Sequence, residues 1–128
     1  GHPAPYLLSP AGCLRELEPT GPLLGVLAEV DQGCAAVEME AGSRLLVFTD
    51  GLNEAQGPRD ELWGTGELVS LLRSGTPDAP SRVVDRILER AAAFRDGRSQ
   101  QDDITVMLAE YDPGPGHLPG EEWGHGTS

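Results

Sequence analysis

The stretch Ser43-Arg44-Leu45-Leu46-Val47-Phe48-Thr49-Asp50-Gly51 decides how the rest of the chain is read. Its four successive apolar residues, 45 to 48, have the length and continuity of a strand buried on both faces. They run straight into a hydroxyl, a carboxylate and a glycine. Asp50 would stand where the strand emerges, with Gly51 letting the backbone turn sharply behind it. Packing gives no reason for a carboxylate at the end of a rigid buried strand, whereas a metal ion does.

Upstream of this strand the pattern is short and extended. Pro3 and Pro5 exclude helix before an extended stretch at 6–9, and Ala11-Gly12 turns the chain into a returning strand at 13–18. Residues 34–40 alternate, Val37 and Met39 against Glu38 and Glu40, as a half-exposed strand does. With a tight turn at 41–43, these segments read as an antiparallel meander.

Downstream the period changes. Residues 53–55 can close one helical turn. Leu68, Val69, Leu71 and Leu72 suit a short helix from 65 that stops at Gly75. Thr76-Pro77-Asp78 offers a capping hydroxyl, a proline at the first position and an acid in the first turn of a second helix. Val83, Val84, Ile87, Leu88, Ala91 and Phe94 repeat at helical spacing as far as Arg95, and Gly97 ends the run. Asp102-Asp103 opens a last strand at 104–111, expected to lie antiparallel beside the strand at 44–49. The fold class is therefore α+β, an antiparallel sheet with two helices packed on one face. Residues 1–111 form the domain, and 112–128 read as a flexible Gly/Pro-rich acidic tail.

The chain's length, 128 residues, suits one domain with a real core. Nine basic against 21 acidic residues give a net charge of −12. That excludes the basic patches needed for nucleic acid or anionic membrane, and leaves an anionic substrate in need of a bound cation. No apolar run approaches the ~20 residues of a membrane helix, and no secretory signal is present, so the expected compartment is the cytoplasm. Cys13 and Cys34 are expected to act as small core hydrophobes rather than as a disulfide. The chain opens on Gly1-His2-Pro3 without an initiator Met and reads as part of a larger domain.

Antiparallel strands at 44–49 and 104–111 would bring Asp50 beside Asp102 and Asp103. Converging carboxylates repel one another unless they protonate or hold a cation. Hard divalent ions, Mg²⁺ or Mn²⁺, suit carboxylate oxygens and water. Zinc spacing is absent: there is no C-x-x-C pair, and His2, His117 and His125 are scattered. Residue types alone leave two readings open. One is a Mg/Mn site, and the other is a turn at Asp50 with a loop capped by Asp102-Asp103.

The spelling of the two stretches weighs toward the first. Phe48-Thr49-Asp50-Gly51-Leu52-Asn53-Glu54-Ala55 and Gln101-Asp102-Asp103-Ile104-Thr105-Val106 resemble the late motifs of metal-dependent (PPM) Ser/Thr protein phosphatases, in the bacterial SpoIIE/RsbU-type branch. Gly1-His2-Pro3-Ala4-Pro5, Gly21-Pro22-Leu23-Leu24-Gly25, Ala41-Gly42-Ser43 and Leu62-Trp63-Gly64 fall in that family's order, so the resemblance covers residues 1–111.

The resemblance implies part of a four-layer α-β-β-α sandwich with a two-metal centre between its sheets. It implies that Asp50 and Asp102 are metal ligands, with Gly51, Glu54 and Asp103 around them. Two Mg²⁺ or Mn²⁺ ions would then activate a water for attack on phosphoserine or phosphothreonine, with no phosphoenzyme. The implied partner is a phosphorylated regulatory protein of the anti-anti-sigma kind, and a sensor or regulatory domain is implied upstream. One departure is large. The family's earlier Asp-containing stretch ending in Gly-His-Gly, which supplies the bridging ligand, is absent. Gly124-His125-Gly126 lies in the tail without the surrounding strand and acids.

Around the centre, Glu54 is expected to hydrogen-bond its turn, Thr105 to pair within the last strand and His2 to be an ordered structural residue. Trp63 is expected to pack the helix at 65–74 onto the sheet. Two further functional readings stand beside the phosphatase: a truncated non-catalytic module that binds another protein, and an unrelated carboxylate-metal phosphohydrolase.

Overall fold

The computed structural model describes residues 2–22, 24–29 and 31–115, so most of the expected tail, with His117 and His125, lies outside the described residues. The elements are β1 (Tyr6–Leu8), β2 (Leu14–Glu16), β3 (Arg44–Phe48), α1 (Asp50–Asn53), α2 (Gly66–Ser74), α3 (Pro80–Arg95) and β4 (Val106–Glu110). The four strands form one antiparallel sheet in the order β2-β1-β3-β4, which is the expected α+β arrangement. No helix among the described residues is long and apolar enough to cross a membrane.

The expected hairpin and the expected β3–β4 pairing are both present, but the meander is not. After the β1–β2 hairpin the chain returns to the other side of β1, where Tyr6 faces Leu46. β1 and β4 thus take both edges of β3, and residues 34–40 find no edge there on which to pair. That segment is no strand, although Val37 and Met39 remain less exposed than Glu38 and Glu40. It is tied back instead through Gly33, whose N–H reaches the Thr20 carbonyl at 3.1 Å while Thr20 Oγ1 donates to the Gly33 carbonyl at 2.8 Å.

The core lies on one face of the sheet. Tyr6, Leu8, Leu46 and Phe48 point toward the helices and meet Leu52, Ala55, Trp63, Leu68, Leu72, Val83, Ile87 and Ala91. The rings of Tyr6 and Phe48 stack with centroids 6.0 Å apart. Each Leu or Ile fully buried in this way contributes about 1.5–3 kcal/mol. β3 is therefore buried on one face only. Leu45 and Val47 on the other face are half-buried, and Met107, which faces Val47 on β4, is 51% exposed. The apolar run 45–48 marks a strand with a second apolar face that no described residue of this chain covers fully.

The helices follow the sequence with one displacement. α2 spans nearly the expected residues, and Trp63 packs into the core as expected, its Nε1 donating to Glu67 Oε2 at 2.7 Å. That bond, and then the Arg90 guanidinium, hold the Glu67 carboxyl below its ordinary value. α3 starts at Pro80 rather than at Thr76-Pro77-Asp78. Either proline satisfies the first helical position. Thr76 Oγ1 instead donates to the Arg73 carbonyl at 2.7 Å, closing off α2, and Asp78 is held in the loop by Arg86 and Arg44. At the far end Asp96 takes the left-handed conformation (φ 48°) ahead of Gly97 (φ 82°), so the stop spans both residues. Cys13 and Cys34 are exposed free thiols, not core residues, because each sits in a loop that the helices do not cover.

One buried cation joins sheet and helices. Arg44 is 4% exposed. Its Nε donates to Glu110 Oε2 at 2.6 Å, its Nη1 to the Gly75 carbonyl at 2.8 Å and its Nη2 to the Asp78 carbonyl at 2.5 Å. The start of β3, the end of β4 and the α2–α3 turn are thus held by one guanidinium. Arg44→Ala removes these donors at once and leaves two loop carbonyls short of partners, and should cost about 2–4 kcal/mol. Arg44→Lys should recover only part of that loss, since an ammonium lacks the planar fork. Urea unfolding midpoints of the two variants check both expectations.

Candidate metal centre

The junction between the end of β3 and the start of β4 is built by backbone contacts and one hydroxyl. The ladder continues past β3, with Thr49 N–H donating to the Thr105 carbonyl at 3.0 Å. Thr49 Oγ1 then bonds twice, donating to the Asp103 carbonyl at 3.2 Å and accepting the Thr105 N–H at 2.9 Å. Thr105 therefore pairs at the strand start, as expected, and Thr49 carries a positioning role that the sequence reading did not assign. The signal was a hydroxyl directly before the Asp-Gly pair.

Asp50 does not end the strand. It is the first residue of the short helix α1, which begins three residues earlier than the turn expected at 53–55. Its side chain is exposed, as are those of Asp102 and Asp103 on the opposing loop. Gly51 makes the closest contact between the two segments. A Cβ there would lie 2.4 Å from the Asp103 carbonyl oxygen and 3.2 Å from that of Asp102. The glycine thus serves close approach, with no positive φ, rather than a sharp turn. The structure brings the Asp50-Gly51 segment directly onto Asp102-Asp103, as antiparallel strands required.

A cleft of about 130 Å³ opens beside this contact, lined by Gly51, Glu54, Asp102, Arg95 and the polar loop 99–101. Asp50 is not part of its lining. Glu54 does not bond its own turn as expected; among the described residues its carboxylate has no hydrogen bond, and it faces the cleft while its N–H closes α1 on the Asp50 carbonyl at 2.9 Å. His2 is exposed and lines a separate groove with residues 15–20 and 33–37, so it is not brought to this centre.

The donors present suit a hard cation. Asp50, Asp102 and Glu54 offer carboxylate oxygens open to solvent, and the buried Asn53 Oδ1 has no hydrogen-bond partner among the described residues. No sulfur or imidazole accompanies them at the junction. The set is incomplete: among the described residues no group of three His, Cys, Asp or Glu side chains is placed to hold an ion. An ion held by Asp50 and Asp102 alone would keep most of its water shell.

Gly51→Ala tests the junction itself. The added methyl must push residues 102–103 outward, which should cost about 1–3 kcal/mol. Amide signals of 102–105 should move in the NMR spectrum. A glycine needed only for flexibility would leave those signals in place.

The sequence matches the family model of Stage II sporulation protein E (SpoIIE) over residues 1–112. Protein IcfG of Synechocystis sp. is 30% identical over 111 residues, which are 87% of this chain and 17% of that protein. The fold is similar to the phosphatase domain of SpoIIE from Bacillus subtilis (Mn presoaked), with TM-score 0.65 and 14% identity, over 92% of this chain and 50% of that one. It is also similar to the SiaA-PP2C domain of Pseudomonas aeruginosa (TM-score 0.63, 20% identity, 85% of this chain and 43% of that one). The RsbU and RsbW domains of Rv1364c from Mycobacterium tuberculosis match with TM-score 0.56 and 26% identity, over 88% of this chain and 30% of that one. The chain thus spans half or less of the length of each of these relatives. With its late motifs in order and its sheet and helices matched by these domains, the chain belongs to the SpoIIE family, in the SpoIIE/RsbU-type branch of the PPM phosphatases.

Proposed function

We propose that this chain supplies two metal-ligating carboxylates, Asp50 and Asp102, to a Mg²⁺- or Mn²⁺-dependent protein phosphatase acting on phosphoserine or phosphothreonine. The observation that carries the reading is the junction at which Thr49 and Gly51 bind the backbone of Asp102-Asp103 to the Asp50 segment. When bound, a pair of divalent ions would supply activated water and neutralise phosphoryl charge. The chain's own part is positional. Thr49 fixes the offset of the two strand ends, Gly51 lets the segments touch, and the exposed carboxylates of Asp50 and Asp102 present hard oxygens beside a polar cleft. Net charge −12 disfavours an anionic substrate, and bound cations offset that locally.

The substrate is a phosphorylated regulatory protein of the anti-anti-sigma kind, a reading supported by kinship with the RsbU-type branch. In this proposal the apolar outer face of the sheet, with Leu45, Val47 and Met107, packs against a second sheet that carries the remaining ligand. A non-catalytic role as a docking module is favoured by one observation, the incomplete donor set.

The test is Mn²⁺-dependent release of phosphate from a phosphoserine protein by the protein that carries residues 1–128. Loss of a residue that merely supports a metal ligand costs about 10–100-fold, so Asp50→Asn or Asp102→Asn should cost more than about 100-fold. The 128-residue chain by itself should release little phosphate. Undiminished turnover in either variant would remove the metal assignment, and robust turnover by the isolated chain would remove the need for a further ligand.

A further inference from the structure

Arg95 ends α3 and lines the same cleft as Gly51, Glu54 and Asp102. It is half-buried, yet among the described residues it makes no ion pair. Its recorded bond is a long one, Nη1 to Gln100 Oε1 at 3.4 Å. Arg44, Arg86, Arg90 and Arg98 are each paired with a carboxylate. In a chain with nine basic and 21 acidic residues, an unpaired arginine facing a polar cleft is unusual.

The cleft does not need Arg95 to hold its walls. Arg98 does that, its Nη1 donating to the Gly57 carbonyl at 2.8 Å and its Nη2 pairing with Asp60 Oδ1 at 2.7 Å. Gln101 Nε2 adds a bond to Gln56 Oε1 at 3.0 Å. The loop 96–101 is thereby fastened to the turn at 57–61, and the Arg95 guanidinium keeps most of its donors. Beside it the cleft presents the Ser99 hydroxyl and the Gln100 amide, and Leu62, 56% exposed, supplies an apolar patch.

We propose that Arg95 is the substrate-binding side chain that grips the phosphoryl group of a phosphoserine or phosphothreonine segment in this cleft, next to Asp102. The inference rests on the phosphatase reading above and names the group that holds its substrate. A guanidinium offers two parallel N–H donors to phosphate oxygens, a match that neither an amide nor an ammonium reproduces. Leu62 gives a peptide, as opposed to free phosphate, an apolar contact beside the anion. The competing role for Arg95 is as a cation in the last turn of a helix, where it would favour the C-terminal dipole and affect stability alone.

The experiment is an NMR titration of the 128-residue chain with a short phosphoserine peptide in the presence of EDTA, beside its unphosphorylated form and inorganic phosphate. Amides 99–101 should shift with the phosphopeptide, more weakly with inorganic phosphate and not with the unphosphorylated peptide. Arg95→Gln should weaken phosphopeptide binding about tenfold, as expected for loss of a charged hydrogen-bonding partner. Arg73→Gln, on the exposed side of α2, should leave it unchanged. Equal binding by wild type and Arg95→Gln, or equal shifts with the unphosphorylated peptide, would overturn the proposal. Should Arg95→Gln fail to fold, Arg95→Lys keeps the charge at the helix end and loses the fork, and undiminished affinity in that variant would overturn it too. Chelation separates the two readings. Metal-dependent turnover that fails while the Arg95-dependent titration holds removes the phosphatase and leaves the anion site; turnover that holds without an Arg95 effect removes this inference alone.

Discussion

The two hydrogen bonds of the Thr49 hydroxyl fix everything that follows from the β3–β4 pairing. β3 and β4 are far apart in sequence, and all three helices lie between them. A one-residue slip would send Leu46 and Phe48 to the wrong face and carry Asp50 away from Asp102. Core packing and candidate site are therefore consequences of one register. The hydroxyl secures it at the end where the ladder gives out, and Gly51 allows the backbone past that point to touch Asp103. At the opposite end of the same strands Arg44 fastens Glu110 and the α2–α3 turn. The pair is thus held at both ends by side chains with several donors or acceptors each.

Much of this was legible in the residues, and the misses have physical causes. Helical repeats such as Val83, Ile87 and Ala91 give α3 directly, because burial on a helix face leaves a regular spacing. The start of α3 was misplaced since Pro77 and Pro80 both satisfy the first helical position, and only the tertiary ties of Thr76 and Asp78 choose between them. Residues 34–40 carry a strand pattern that their exposure partly follows. Strand formation needs a free edge as well as a pattern, and β1 had taken it. Leu45 and Val47 looked fully buried because an apolar residue facing an uncovered sheet surface is spelled like one in a core.

The centre shows the same division. The Asp-Gly and Asp-Asp pairs stand out because each follows or precedes a strand, and antiparallel pairing then forces their segments together. The cleft beside them is hidden from a linear reading. It depends on how Arg98 and Gln101 fold the loop 96–101 against the turn at 57–61, a matter of long-range bonds. Arg95 could be singled out only after the other arginines at the helices and loops had been matched with their carboxylates.

The central claim is that Asp50 and Asp102 together hold a divalent ion at the β3–β4 junction. Paramagnetic broadening tests it most directly, by adding substoichiometric Mn²⁺ to the ¹⁵N-labelled chain and following each amide. The account predicts selective broadening at residues 50–54 and 101–103, abolished by either Asp50→Asn or Asp102→Asn. Broadening centred on the acidic segment 16–40, or unchanged by both substitutions, would contradict it.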